Sequence, residues 1–534
     1  MSNRVTRARL VALAAVPVAF VVATYFWPLT AVVTRSFRGS SRTTVTEVIG
    51  AASTWRLLGV TALQAAVSTA IAVLIGVPAA WCHARLHYRG RQLVWSAAGI
   101  GFVLPAVVVA VGLRSLVGAD RVGSWTWVIV AHVAVNVAVI MRTTGTRFVL
   151  VGADLEEAAR ALGRSKLGAV IDVTIRGSLD AIVGASLVVF LFCLTSFGIV
   201  LTIGGGALRT VEIEIWLQTT RLYRLDVAAV LVGLQFVLVI GALIAHGLVT
   251  RSRPPIVSTE VSRRRLAGWP ERLSVTAVSA TVLALSVAPV AALAVRSVRV
   301  DGRWSLLNYS ALSRPLVGSG GDITIAGALW SSMLVALTAT AICLAVAVPA
   351  AVVIAPGGRA AHLLDAALLV PLATSAVTVG FGFLLGYSSP ALDLRGAWIA
   401  IPLVESAIAA PLVVRVLVPS FRSIDPALAD AARSLGATRW RRFATVVLPT
   451  IRSAIAVGLA LSFAVSVGEF GATTVLARTT APTLPQVISR LLGRPGSSNL
   501  GRALAVSTIL ALLCAVVFGA AERFGGRRTR ALEF

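Results

Sequence analysis

Charge is scarce in this chain: only 13% of its 534 residues are Asp, Glu, Lys or Arg, and all but one of the 48 basic residues are arginine. With 57% hydrophobic residues and a mean hydropathy of +0.88, that scarcity excludes an ordinary soluble globular enzyme. Cysteine is nearly as rare. Cys82, Cys193, Cys343 and Cys514 lie far apart with no C-x-x-C spacing, which excludes a disulfide framework and a zinc site. The only lysine, Lys166, is followed by Leu167, so the G-K-[ST] signature of a phosphate-binding loop is absent. Five scattered histidines, with no H-E-x-x-H and no recognisable Ser-His-Asp set, argue against an intramembrane enzyme.

What the chain has in abundance is apolar runs of about 20 residues, the length that crosses a bilayer. The first, Leu10 to Val33, follows Arg4, Arg7 and Arg9 and is too long for a cleaved signal, so it reads as an uncleaved span. Further runs centre near 56–82, 93–118, 124–149, 180–203, 226–250, 272–297, 325–355, 362–387, 397–420, 452–476 and 501–522, which predicts an all-α polytopic membrane protein of about twelve transmembrane helices. The net charge of +26 sits in short clusters between these runs, where it meets lipid headgroups and sets orientation, not nucleic acid. The larger share of Arg and Lys falls on the side of the N-terminus, which places both termini in the cytoplasm.

The chain also repeats itself. Glu157-Ala158-Ala159-Arg160-Ala161-Leu162-Gly163 matches Asp430-Ala431-Ala432-Arg433-Ser434-Leu435-Gly436, 273 positions later, and Phe197-Gly198 and Arg142 match Phe470-Gly471 and Arg415 at the same distance. Val77-Pro78-Ala79-Ala80 matches Val348-Pro349-Ala350-Ala351 at 271. An internal duplication follows: two six-span parallel repeats, residues 1–250 and 272–534, joined by a basic cytoplasmic linker, 251–271, that carries Arg263-Arg264-Arg265.

The repeated segment is similar to the cytoplasmic pattern E-A-A-x-x-x-G-x(9)-I-x-L-P of the membrane-spanning subunits of binding-protein-dependent ABC importers. In the first copy Glu157, Ala158, Ala159 and Gly163 match and Arg176 stands where the pattern has Pro. In the second, Ala431, Ala432, Gly436, Leu448 and Pro449 match and Asp430 replaces Glu. An Ala-rich helix ended by Gly makes a close-packing elbow. The resemblance implies that each elbow is a coupling helix seated on an ATPase subunit. It further implies two copies of a separate ABC ATPase, an extracytoplasmic solute-binding protein, no cofactor in this chain, and ATP used by the partner. The carboxylate at 157 or 430 is expected to cap its helix or to pair with an ATPase arginine.

Ionisable groups inside spans are costly and each needs a reason. His132 and Glu405 are 273 positions apart, as are Ser196 and Glu469, and all four are candidates for the translocation path, with Asn136 a candidate partner for His132. His83 and His87 share a face for metal only if their loop is helical, and a solvated basic loop is the simpler reading. Gly204-Gly205-Gly206 reads as a turn. Two fused halves resemble the subgroup that imports thiamine or ferric iron. Thr195-Ser196-Phe197-Gly198, Gly204-Gly205-Gly206 and Thr210 through Gln218 look more like the thiamine permeases, while polyamine, sulfate and phosphonate stay open. The rival class is an ion-coupled secondary transporter that uses His132, Glu405 and Glu469 as protonation sites.

Overall fold

The computed structural model describes residues 2–37, 41–117, 123–249, 263–315, 324–389, 392–394, 396–476 and 481–525. Most of the expected linker, 251–262, therefore lies outside the described residues. Helices dominate, and the few two-residue strands form three small ladders. Where the backbone must satisfy its own polar groups in hydrocarbon, this is the expected solution.

Ten helices among the described residues are long and apolar enough to cross a membrane, from Val11–Arg35 to Ser497–Ala521. The two remaining predicted spans are not straight helices. Residues 93–118 fall on a pair, Arg91–Gly101 and Ala106–Val117, bent by 104° at Leu104-Pro105. Residues 362–387 fall on Arg359–Leu369 and Ala376–Gly386, separated by the 3-10 turn Val370–Ala373. Proline explains both breaks, because Pro105 and Pro371 lack the N–H that would carry a helix through. By contrast Pro78 and Pro349 sit inside long helices, Ala52–Arg85 and Ile325–Ile354, that continue past them.

The described residues group into two compact units, and neither is a single stretch of sequence. One comprises Met1–Val48, Ile215–Val232 and Ser305–Glu533; the other is built from Ile49–Glu214 and Gly233–Trp304. In the first unit Ser2–Val21 packs on Ile325–Ile354, and Trp27–Phe37 packs on Ala376–Gly386. The Trp27 indole donates to the Gly386 carbonyl at 3.0 Å, and the Tyr387 hydroxyl donates to the Ala23 carbonyl at 2.8 Å. In the second unit Ala52–Arg85, Trp125–Val151 and Leu179–Leu194 pack together, and Trp269–Ser297 lies on Arg91–Val103 and Ala106–Val117. Each unit thus contains the opening helix of the other sequence repeat, so packing does not follow the 1–250 and 272–534 division of the repeats.

Small residues make these contacts. Ala65, Ala72, Ala79 and Ala80 are buried along Ala52–Arg85, and Ala336, Ala339, Ala347 and Ala350 along Ile325–Ile354. Such stripes let helix backbones approach closely, which is the main attraction available between helices in lipid.

Candidate functional site

The repeated motif folds into two elbows of the same construction. The first is the helix Asp154–Ala161 followed by Leu162 and Gly163; the second is Pro426–Ser434 followed by Leu435 and Gly436. Gly163 has φ +89 and Gly436 φ +75, the left-handed conformation that favours glycine. In each copy the chain then closes two hydrogen bonds over the helix end. Gly163 N–H donates to Arg160 O and Arg164 N–H to Ala159 O; Gly436 N–H donates to Arg433 O and Ala437 N–H to Ala432 O. This is the Schellman ending, and it accounts for the glycine in the motif. Seven residues past each glycine the copies still agree, since both exit segments, Val170–Ile175 and Phe443–Val447, are wound as π-helix. They differ at the missing proline: the first copy adds a 3-10 turn, Arg176–Ser178, before Leu179–Leu194, whereas the second runs directly into Leu448–Gly468.

The helix beginnings are built differently. The second starts at an N-cap, Asp425, whose carboxylate accepts from Ala427 N–H at 2.8 Å, with Pro426 in the first turn. The first has Ala153 at that position, with no side-chain cap. Neither motif carboxylate performs the expected capping. Asp430 sits inside its helix and pairs with Arg433 one turn on at 2.9 Å, and Glu157 is exposed. The acid that matters for packing is the neighbour, Glu156, which the sequence reading passed over. It forms an ion pair with Arg85 at 2.9 Å and accepts from the Thr174 hydroxyl.

The elbow tips are apolar and bare. Leu162 is 86% exposed and Leu435 87%, and Leu167, Leu428 and Trp440 beside them are also exposed. One large exposed leucine thus stands at the same place in both copies. Sequence periodicity does not reveal it, because Leu162 looks like any other residue of an Ala-rich helix until the left-handed glycine turns the chain.

Within the spans the four polar candidates have distinct surroundings. The His132 ring lies on Trp125–Val151, buried, with Nδ1 3.3 Å from the Ser68 hydroxyl, while Nε2 has no hydrogen-bond partner among the described residues. Asn136 is not the ring's partner; its amide donates to the His132 backbone carbonyl at 2.9 Å and to Cys193 Sγ. Glu405 is fully buried on Ala400–Arg422, accepts from the Ser466 hydroxyl through Oε2, and has no partner for Oε1 among the described residues. Glu469 ends Leu448–Gly468, and its carboxylate accepts from the N–H groups of Gly471, Ala472 and Thr473 at 2.7, 3.1 and 3.1 Å. Its charge is therefore met by the start of the next short helix. Ser196, half-buried, lies in the matching break between Leu179–Leu194 and Gly198–Gly204. Gly205 and Gly206 are both left-handed, which makes the glycine run a turn. His87 falls beyond the end of Ala52–Arg85, so it does not share a helical face with His83, whose ring stacks on Trp95. No cluster of metal-ligating residues occurs among the described residues.

Comparison with known proteins adds the decisive observation. Residues 344–530 match the family described as binding-protein-dependent transport system inner membrane component. The chain is also 32% identical over 170 residues to the molybdenum transport system permease protein ModB of Escherichia coli (strain K12), covering 29% of this chain and 74% of that protein. The chain belongs to the binding-protein-dependent transport permeases. Over most of its length this permease is similar to thiamine transport system permease proteins ThiP. The protein from Brucella abortus (strain 2308) is 26% identical over 501 residues, 89% of both chains. That from Escherichia coli (strain K12) is 23% identical over 509 residues, 89% of this permease and 90% of the relative. A multi-pass membrane transport subunit is thus the identity of the chain.

Proposed function

We propose that this permease carries thiamine into the cytoplasm, driven by two copies of a separate ABC ATPase and supplied by an extracytoplasmic solute-binding protein. The observation that carries the coupling role is the pair of elbows: same helix length within one residue, same Schellman ending, same exposed leucine, 273 positions apart. A closing ATPase dimer pushes on two such knobs and turns its motion into rearrangement of the spans. Glu157, Ala158, Ala159 and Gly163, with Asp430, Ala431, Ala432 and Gly436, form these docking elements; the elbows and both termini face the cytoplasm, and ATP is consumed by the partner with no cofactor in this chain. The organisation as two repeats, 1–250 and 272–534, with a linker between, gives each ATPase subunit one elbow.

The thiamine reading is supported by the near full-length similarity to the ThiP proteins and by the segment from Thr195 to Gln218. Thiamine carries a fixed positive charge, and His132 and Glu405 are the intramembrane groups we assign to its path, because each keeps a buried polar atom with no protein partner among the described residues. Glu469, committed to capping, and Ser196 are given a shaping role beside it.

Reconstitution into proteoliposomes with the ATPase and the solute-binding protein tests this. ATP-dependent accumulation of radiolabelled thiamine, unaffected by a protonophore, is the expected result. Accumulation of ferric iron or molybdate in place of thiamine overturns the cargo, and uptake that persists without ATP but collapses with the proton gradient overturns ATP coupling in favour of an ion-coupled carrier.

A further inference from the structure

Arg85 ends the long span Ala52–Arg85 and is only 4% exposed. Burying a guanidinium is unfavourable unless its donors are satisfied, and this one is satisfied by three different parts of the elbow. Nε donates to Glu156 Oε1 of the elbow helix at 2.9 Å; Nη2 donates to the Gly152 carbonyl at 2.8 Å and to the Thr174 hydroxyl at 3.3 Å. Gly152, at φ +78, is the residue at which Trp125–Val151 ends, and Thr174, fully buried, belongs to the π-wound exit segment. Thr174 in turn donates to Glu156. One side chain therefore joins the segment before the elbow, the elbow helix and the segment after it.

The residues that follow Arg85 are themselves backed by the chain that joins the repeats. Leu86 and His87 pair in parallel with Arg264 and Arg265, and the Arg264 guanidinium grips the Glu271 carboxylate, with Nη1 2.9 Å from Oε2. The Glu271 hydrogen bond raises the Arg264 pKa above its ordinary value. A cleft of about 700 Å³ lined by Trp81, Arg85, Glu156, Lys166, Arg264 and Glu271 lies among these elements.

The second repeat contains none of the equivalent groups. At the 271-residue offset of the long spans Arg85 becomes Pro356, and at the 273-residue offset of the elbows Glu156 becomes Ala429 and Thr174 becomes Val447, while Gly152 becomes Asp425, the N-cap of the second elbow. Loss of the latch and gain of a cap coincide.

We propose that Arg85 is a positioning residue that locks the first elbow to the span Ala52–Arg85, a latch with no counterpart at the second elbow among the described residues, so the two coupling helices transmit force unequally. The proposal rests on the coupling role given above to the elbows. A latched elbow moves with its span as one body; a capped elbow keeps its shape but pivots at its ends.

The test uses the full chain in lipid nanodiscs, alone and with its ATPase, in wild type, Arg85→Gln, Glu156→Gln, Arg85→Lys and the charge-exchanged pair Arg85→Glu with Glu156→Arg. Hydrogen exchange over residues 154–163 in the chain alone is expected to quicken roughly fivefold or more in Arg85→Gln and Glu156→Gln, with residues 426–436 unaffected. Arg85→Lys keeps the ion pair but loses the fork, and gives an intermediate rate; the exchanged pair restores protection in part. In the complex, ATP turnover at saturating ATP, counted per assembled permease–ATPase complex so that loss of folded protein does not register, falls roughly fivefold in Arg85→Gln with KM for ATP unchanged. Unaltered exchange at 154–163, or equal quickening at 426–436, overturns the latch. If the bound ATPase protects neither elbow while Arg85→Gln still loosens the first, the coupling role falls and the latch stands as a feature of the fold alone.

Discussion

Gly112 meets Pro289 so closely that a Cβ built at Gly112 would lie 2.3 Å from the Pro289 carbonyl oxygen. The proline belongs to Trp269–Ser297, the opening helix of the second repeat, and the glycine to Ala106–Val117 of the first. The same device recurs in the other unit, where a Cβ at Gly382 would stand 3.2 Å from the Pro28 carbonyl oxygen. Proline frees no N–H and glycine adds no side chain, so two backbones come together that otherwise stay apart. Gly112→Ala forces one helix to move, and we expect it to destabilise the protein by about 1–3 kcal/mol. A lowered thermal midpoint of the detergent-purified chain checks this, with Gly233→Ala, where the new methyl meets nothing within 4 Å, showing no such fall.

At Gly163 and Gly436 the constraint is conformation, since a Cβ there has open space around it. Valine is strained by about 1–2 kcal/mol or more in the left-handed region, whereas asparagine enters it with little difficulty. The double variant Gly163→Val, Gly436→Val should lose ATPase association and transport with expression intact, and the double Asn variant should keep both. Normal association of the double Val variant, measured by co-purification, removes the docking role of the elbows.

Leu162 and Leu435 are expected to enter apolar sockets on the ATPase subunits. Burying a leucine contributes about 1.5–3 kcal/mol, so Leu162→Asp and Leu435→Asp should each weaken the ATPase by roughly tenfold or more. Titration of fluorescent ATPase onto nanodisc-held permease reads this directly. Leu307, exposed outside the elbows, is the control position and its aspartate variant should bind as wild type does.

Glu469 tests whether an intramembrane charge shapes the fold or touches cargo. Its carboxylate receives three backbone N–H groups, so Glu469→Ala leaves buried donors unmet and should cost about 1–3 kcal/mol of stability. Glu469→Gln keeps an acceptor and should lose less. Half-saturation for cargo should stay the same in Glu469→Gln and rise in Glu405→Gln; the reverse order would move Glu469 into the path.

Much of this protein was legible before any coordinates. Apolar length specifies a helix in lipid almost by itself, because unpaired backbone groups are intolerable there, and the repeat of Glu157 through Gly163 at Asp430 through Gly436 located both elbows. Gly163 and Gly436 disclosed their left-handed turns through a residue type that few other roles require. Other features were hidden. Leu104-Pro105 and Val370-Pro371 stood inside apolar runs whose composition did not tell a broken span from a kinked one. The capping role expected for Glu157 and Asp430 went to Asp425 in one elbow and to no side chain in the other, since a cap depends on where the first helical turn begins.

By itself, then, the sequence determined the environment, the helical class, the duplication and the place of the two elbows, because each rests on local chemistry: chain hydropathy, helix length and the conformational freedom of glycine. Only the tertiary structure decided that each compact unit holds the opening helix of the other repeat, that Arg85 and not a motif residue ties down the first elbow, and that Glu469 is spent on backbone while Glu405 is not. Those outcomes depend on which surfaces meet. Arg85 is 71 positions from Glu156 and 89 from Thr174, and a buried guanidinium takes whatever acceptors folding brings within 3 Å or so, a choice that no spacing along the chain encodes.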